Sequence, residues 1–112
     1  MAITFKRLGA GRPTDTNNLS IYTTETEPST TAHIHSITIC NTTTSDATAR
    51  VFLTPADDTA DETTAILYDY IIPANQSFTL GIHQVLAAAG QIYVRSGTPN
   101  ALTFTASGQE IV

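Results

Sequence analysis

Three histidines carry the most direct chemistry in this sequence. His33 and His35 are separated by one residue, a spacing that on a strand puts both imidazoles on one face, where together with His83 they can coordinate zinc or copper. No fourth ligand follows at a metal-binding spacing, and alternating histidines on a strand are more often a surface or interface feature. The expected role of His33 and His35 is therefore a subunit contact, pH-sensitive if the pair lines a symmetry axis, and neither a metal nor a cofactor is assigned. Cys40, in the context Ile39-Cys40-Asn41, lacks the neighbouring base and orienting group of a thiol nucleophile and reads as a structural thiol. No serine sits in a G-x-S-x-G elbow, and no phosphate-binding or dinucleotide glycine pattern is present, so an enzyme is not expected.

The acids Asp57, Asp58, Asp61 and Glu62 lack the alternate spacing and central glycine of a calcium loop and read as a solvated segment. Tyr22, Tyr68, Tyr70 and Tyr93 can offer a stacking platform for sugar. Period-two spacing puts Tyr68 and Tyr70 on one strand face, which is equally compatible with a subunit boundary and with the rim of the core. Asn18, Asn41 and Asn75 each open a glycosylation-type triplet, but without an export signal they serve as turn and strand-end residues.

These side chains fall on short alternating segments separated by turn residues, the pattern of strands. A strand or an arm is expected over Ile3 to Leu8, ended by the breaker Gly9-Ala10-Gly11-Arg12-Pro13. Further strands are expected over Leu19 to Thr24, Ala32 to Cys40, Arg50 to Thr54, Ile66 to Ile72, a short segment around Phe78 and Leu80, Gln91 to Ser96, Ala101 to Thr105, and Gln109 to Val112. In the clearest of them His33, His35, Ile37 and Ile39 alternate with Ile34, Ser36, Thr38 and Cys40, so both faces have apolar character. Val85 to Ala89, rich in alanine and followed by Gly90, is the one segment predicted to turn helically. The expected fold is all-β: a single-domain β-sandwich or jelly-roll-like barrel of about eight strands over 15–112, with 1–14 as an N-terminal strand or arm.

Composition agrees. Of 112 residues, 21 are threonine, whose branched side chain suits a pleated surface, and only 13% are charged. A net charge of -5 argues against attraction to nucleic acid or to an anionic membrane. Lys6, Arg7 and Arg12 are a local exception, and this basic start would suit an arm docking on an acidic neighbour. One cysteine excludes an intrachain disulfide framework. The start of the chain has no apolar run long enough for a signal peptide, so synthesis in a host cytoplasm is expected.

Taken together, His35-Ser36-Ile37-Thr38-Ile39-Cys40-Asn41, then Ile72-Pro73-Ala74-Asn75-Gln76-Ser77-Phe78-Thr79-Leu80, then Val85-Leu86 to Gly90 before Gln91-Ile92-Tyr93-Val94, give the stretch Ala32 to Val112 a cadence that resembles small structural proteins of tailed bacteriophages. The resemblance implies a β-sandwich built into virions as a capsid cement or decoration protein, or as a neck or tail component. Its partners would be the major capsid protein or other virion proteins, and copies of itself, as a trimer. No catalytic residue carries over. The alternative from another class is a carbohydrate-binding, adhesin-like module. The expected contact residues are Phe5, Lys6, Arg7, Arg12, His33, His35, Tyr68 and Tyr70.

Overall fold

The computed structural model describes residues 2–112. Residues 3–11, where the sequence left strand or arm open, form β1 (Ile3–Gly11). It is followed by β2 (Leu19–Thr23), β3 (Thr31–Asn41), β4 (Ala47–Thr54), β5 (Ala65–Ile72), β6 (Ser77–Leu86), β7 (Gln91–Ser96) and β8 (Leu102–Ile111). The strands make two antiparallel four-stranded sheets, ordered β1-β8-β3-β6 and β2-β7-β4-β5. The chain crosses between the sheets at every connection except the β4–β5 hairpin, which is the winding of a jelly roll. The all-β sandwich expected from the alternation is the fold observed.

Between the sheets lie Ile34, Ile37 and Ile39 of β3, Val51 of β4, Ile92 and Val94 of β7, and Leu102 and Phe104 of β8, all shielded from solvent. β-branched residues dominate because their stiff side chains pack well on a pleated face. At one edge Gly9 and Gly11 bring β1 onto β2. A side chain at Gly9 would run into the Ile21 carbonyl, and one at Gly11 into the side chains of Ile21 and Leu19. The glycines expected to break β1 therefore lie inside it, where close approach to the other sheet leaves no room for a Cβ.

Two further expectations are corrected. First, β3 does not alternate evenly: its register with both β8 and β6 shifts between Ile34 and Ser36, so β3 carries one more residue than β8 at His35. Because side chains change face every residue, this bulge puts Ala32 and Ile34 inward on one side of it and Ile37 and Ile39 inward on the other. His33 and His35 thus do not share a face with Ile37 and Ile39. Second, Val85 and Leu86 end β6, and Ala87 to Gly90 form a turn rather than a helix. The Gly90 amide donates to the Ala87 carbonyl at 3.0 Å and the Ala89 amide to the Thr24 carbonyl at 2.9 Å, with Ala89 at a φ of 66°. With Leu86 committed to the core, too few residues remain to nucleate a helix.

Candidate interface

The outward side of the β1-β8-β3-β6 sheet is built row by row from strand register. Phe5 of β1 lies opposite Gln109 of β8, Gln109 opposite His33 of β3, and His33 opposite Val85 of β6, so these four side chains cross the whole sheet in one line. Phe5 and Val85 at its ends are 76% and 63% exposed, and Ile3 beyond Phe5 is 48% exposed. In the middle of the row, Gln109 Nε2 and His33 Nδ1 are 3.2 Å apart in a hydrogen bond.

The bulge gathers the histidines. The ring centroids of His33 and His35 are 4.4 Å apart, and His83 of β6 completes a triangle at 5.9 Å and 6.0 Å. Among the described residues no group of three or more His, Cys, Asp or Glu is disposed to hold a metal ion. His35 also borders an open depression of about 440 Å³ whose other walls are Phe5, Lys6, Ser107 and Gly108. Apolar surface, imidazole and serine hydroxyl thus form one face that no other part of the chain covers among the described residues.

The predicted contact residues divide. Phe5, His33 and His35 share this face, and Arg7, opposite Ser107, stands in the next row. Lys6 turns to the sandwich edge, where its ammonium lies 3.3 Å from Glu110. The same carboxylate accepts a hydrogen bond from the Tyr22 hydroxyl of β2 at 2.5 Å. Burial, then the bonded Glu110, push the Tyr22 phenol well above its ordinary range. The phenol, then Lys6, hold the Glu110 carboxyl below its own. Arg12 is far from both: its guanidinium donates to the Asn100 carbonyl and fastens the end of β1 to the β7–β8 turn.

Tyr68 and Tyr70 do not share a face, because β5 bulges between them. Its register with β4 shifts between Ala49 and Val51, and Asp69 takes a φ of 53°. Tyr70 turns towards the other sheet and packs on Phe78 with ring centroids 4.5 Å apart, closing the sandwich edge. Tyr68 turns outward beneath Arg50, whose guanidinium carbon lies 4.0 Å from the ring centroid. With Tyr22 buried as well, Tyr22, Tyr68 and Tyr70 make no common platform.

Val85 and Gln109 were missed from the sequence. The alternation Ser77, Thr79, Gly81, His83, Val85 would have put Val85 beside His83 had β6 been carried past the alanine-rich signal. Nothing in the spacing marks His35 as the extra residue.

These features define an eight-stranded jelly-roll sandwich with an uncovered apolar and histidine-bearing sheet face. No protein-family model and no curated protein matches the chain. Among solved structures, 97% of the chain is similar in fold to part of a chain in a structure of the infectious bursal disease virus Gx strain, with a TM-score of 0.51 and 10% sequence identity. The likeness spans 32% of that longer chain. At this identity it speaks for the jelly roll alone.

Proposed function

We propose that the protein is a non-enzymatic structural component of a virion, a cement or decoration protein of a tailed phage. In this reading it seats on the major capsid protein, and associates with copies of itself as a trimer, through the outward face of the β1-β8-β3-β6 sheet. The observation that carries the reading is the row Phe5, Gln109, His33, Val85, with exposed apolar side chains at both ends of an uncovered sheet. Fully burying a phenylalanine or valine contributes roughly 1.5–3 kcal/mol. The uncharged serine and threonine hydroxyls around them cost far less to desolvate than ions would. Arg7, near the Phe5 end, supplies a cation for an acidic patch on the partner. The jelly roll that 97% of the chain shares with part of a chain in a viral structure supports the reading.

Co-purification with assembled particles tests this. The protein is expected to travel with intact particles in a copy number that scales with the shell, whereas a ring-sized number would move it to the neck or tail. A Phe5→Ser, Val85→Ser double variant, unchanged in fold, should be lost from the particles. Full retention of that variant would rule out this face as the docking surface.

A further inference from the structure

The outward side of the other sheet holds an arrangement that docking does not use. β4 and β7 pair so that Arg50 lies directly opposite Arg95, a juxtaposition of like charges that weakens an antiparallel pair. The chain neutralises one of the two. The bulge at Asp69 brings its carboxylate onto Arg50 as a fork, with Nε to Oδ1 at 2.7 Å and Nη2 to Oδ2 at 3.1 Å. Arg95, half-buried, has no ion pair and no side-chain hydrogen bond among the described residues.

Two clefts meet at this arginine pair. One, of about 160 Å³, is bordered by Thr16, Thr48, Gly97 and the Asp69 carboxylate that Arg50 holds, and the other, of about 230 Å³, by Asn18, Asp61 and Glu62. The acidic segment thus folds over the sheet as a wall, fastened where Asn18 donates to the Ala60 carbonyl at 3.3 Å. Thr63 donates to Asp61 Oδ1 from both its hydroxyl, at 2.6 Å, and its amide, at 2.9 Å, bonds that hold the Asp61 carboxyl below its ordinary range, and the same residue borders the second cleft. Neither cleft reaches the roughly 300 Å³ of an ordinary small-molecule pocket, so the occupant is small.

The walls select its chemistry. An unpaired guanidinium takes a carboxylate in a planar, two-pronged hydrogen bond. The carboxylates opposite accept hydrogen bonds from hydroxyls and repel a doubly charged phosphate more than a singly charged carboxylate, while Thr16, Thr48 and Asn18 supply neutral donors and acceptors. We infer that the cleft at Arg50 and Arg95 binds a single carboxylate-bearing sugar, with Arg95 receiving the carboxylate and Asp61 and Glu62 accepting its hydroxyls. The site lies on the sheet opposite the proposed docking face and does not depend on it, so the protein could display the site outward while seated.

Titration of the full-length, ¹⁵N-labelled protein with D-glucuronate at constant ionic strength tests the inference. Saturable amide shifts are expected at Arg95, Thr48 and Gly97, with none from D-glucose. Arg95→Gln should weaken binding about tenfold or more, the loss expected of a charge-assisted hydrogen bond. Glu62→Gln, on an exposed segment where folding is not at risk, should weaken it too, and Arg12→Gln should not. Equal shifts from glucose, glycine or inorganic phosphate would overturn the assignment of a sugar acid. So would the absence of saturation with glucuronate, or unchanged binding in both the Arg95 and Glu62 variants.

Discussion

Tyr22→Phe removes one oxygen atom from the edge where β1 and β2 meet, and its effect can be worked out in advance. Glu110 receives the Tyr22 hydroxyl at 2.5 Å and the Lys6 ammonium at 3.3 Å, so one carboxylate ties β8 to the edge strands of both sheets. Lys6 is 45% exposed, and a surface pair of this kind contributes about 0–1 kcal/mol. The phenol bond is sheltered and charge-assisted, for which about 1.5–3 kcal/mol is expected. Because Glu110 titrates below its ordinary value of 4.5 in the folded protein, the stabilisation is fully present above that value and is lost as pH falls through the lowered one. Urea unfolding of wild type and Tyr22→Phe should therefore differ by about 1.5–3 kcal/mol at pH 7 and by less at pH 3, the difference falling towards the ~1 kcal/mol or less of a neutral pair as the carboxyl is protonated. Glu110→Gln should lose the same acid dependence, and the double variant should show coupling. At the alkaline end, the raised Tyr22 phenol makes wild-type stability fall as pH climbs past the ordinary 10.0, a slope absent from the phenylalanine variant. A difference that is equal at pH 7 and pH 3, or too small to measure at pH 7, would refute the reasoning.

Three further outcomes are expected. Asn41 is fully buried and donates to the Ser45 and Ile72 carbonyls, each at 2.9 Å, while accepting from the Thr43 amide, so Asn41→Ala should cost about 2–4 kcal/mol in chemical denaturation by stranding those groups. Gly9→Ala should destabilise by about 1–3 kcal/mol because its methyl meets the Ile21 carbonyl, whereas Gly81→Ala, with open space above it, should stay within about 1 kcal/mol; equal thermal shifts for the two would count against the packing described. Phe5→Ser and Val85→Ser, at 76% and 63% exposed positions, should leave the isolated protein within about 0.5 kcal/mol of wild type, so that any loss of particle attachment is read as lost contact rather than lost fold.

The sandwich was legible because β4 and β7 keep their period: Val51 and Leu53 alternate with Arg50 and Phe52, and Ile92 and Val94 with Tyr93 and Arg95, so their inward faces could be read directly. Phe52 shows where this stops. It lies on the outward side of β4 yet is 1% exposed, and it shares the cleft wall with Ala60, Asp61 and Glu62. The composition of this segment, too polar to build a core, predicts full solvation and cannot reveal that the segment lies across an aromatic ring. The contact residues were half legible. Phe5, His33 and His35 come together because register aligns them, but Arg12 is spent on the Asn100 carbonyl, a partner 88 residues away that spacing cannot indicate.

What the sequence concealed most consistently is the bulge. An extra residue at His35 sets that side chain beside His33, against His83 and Val85 of β6, while sending Ile34 and Ile37 inward together. A second, at Asp69, parts Tyr68 from Tyr70 and delivers a carboxylate to Arg50, while Arg95 has no ion pair among the described residues. In both places the break in period costs ladder hydrogen bonds, a loss tolerated where it re-aims a side chain. Both also lie beside the polar or apolar surface that the fold leaves uncovered. A regular jelly roll would point alternate residues outward with no preference among them. These two bulges instead bring His35 beside His33 on one sheet and Asp69 onto Arg50 on the other, so the opposite faces of one small sandwich differ in chemistry.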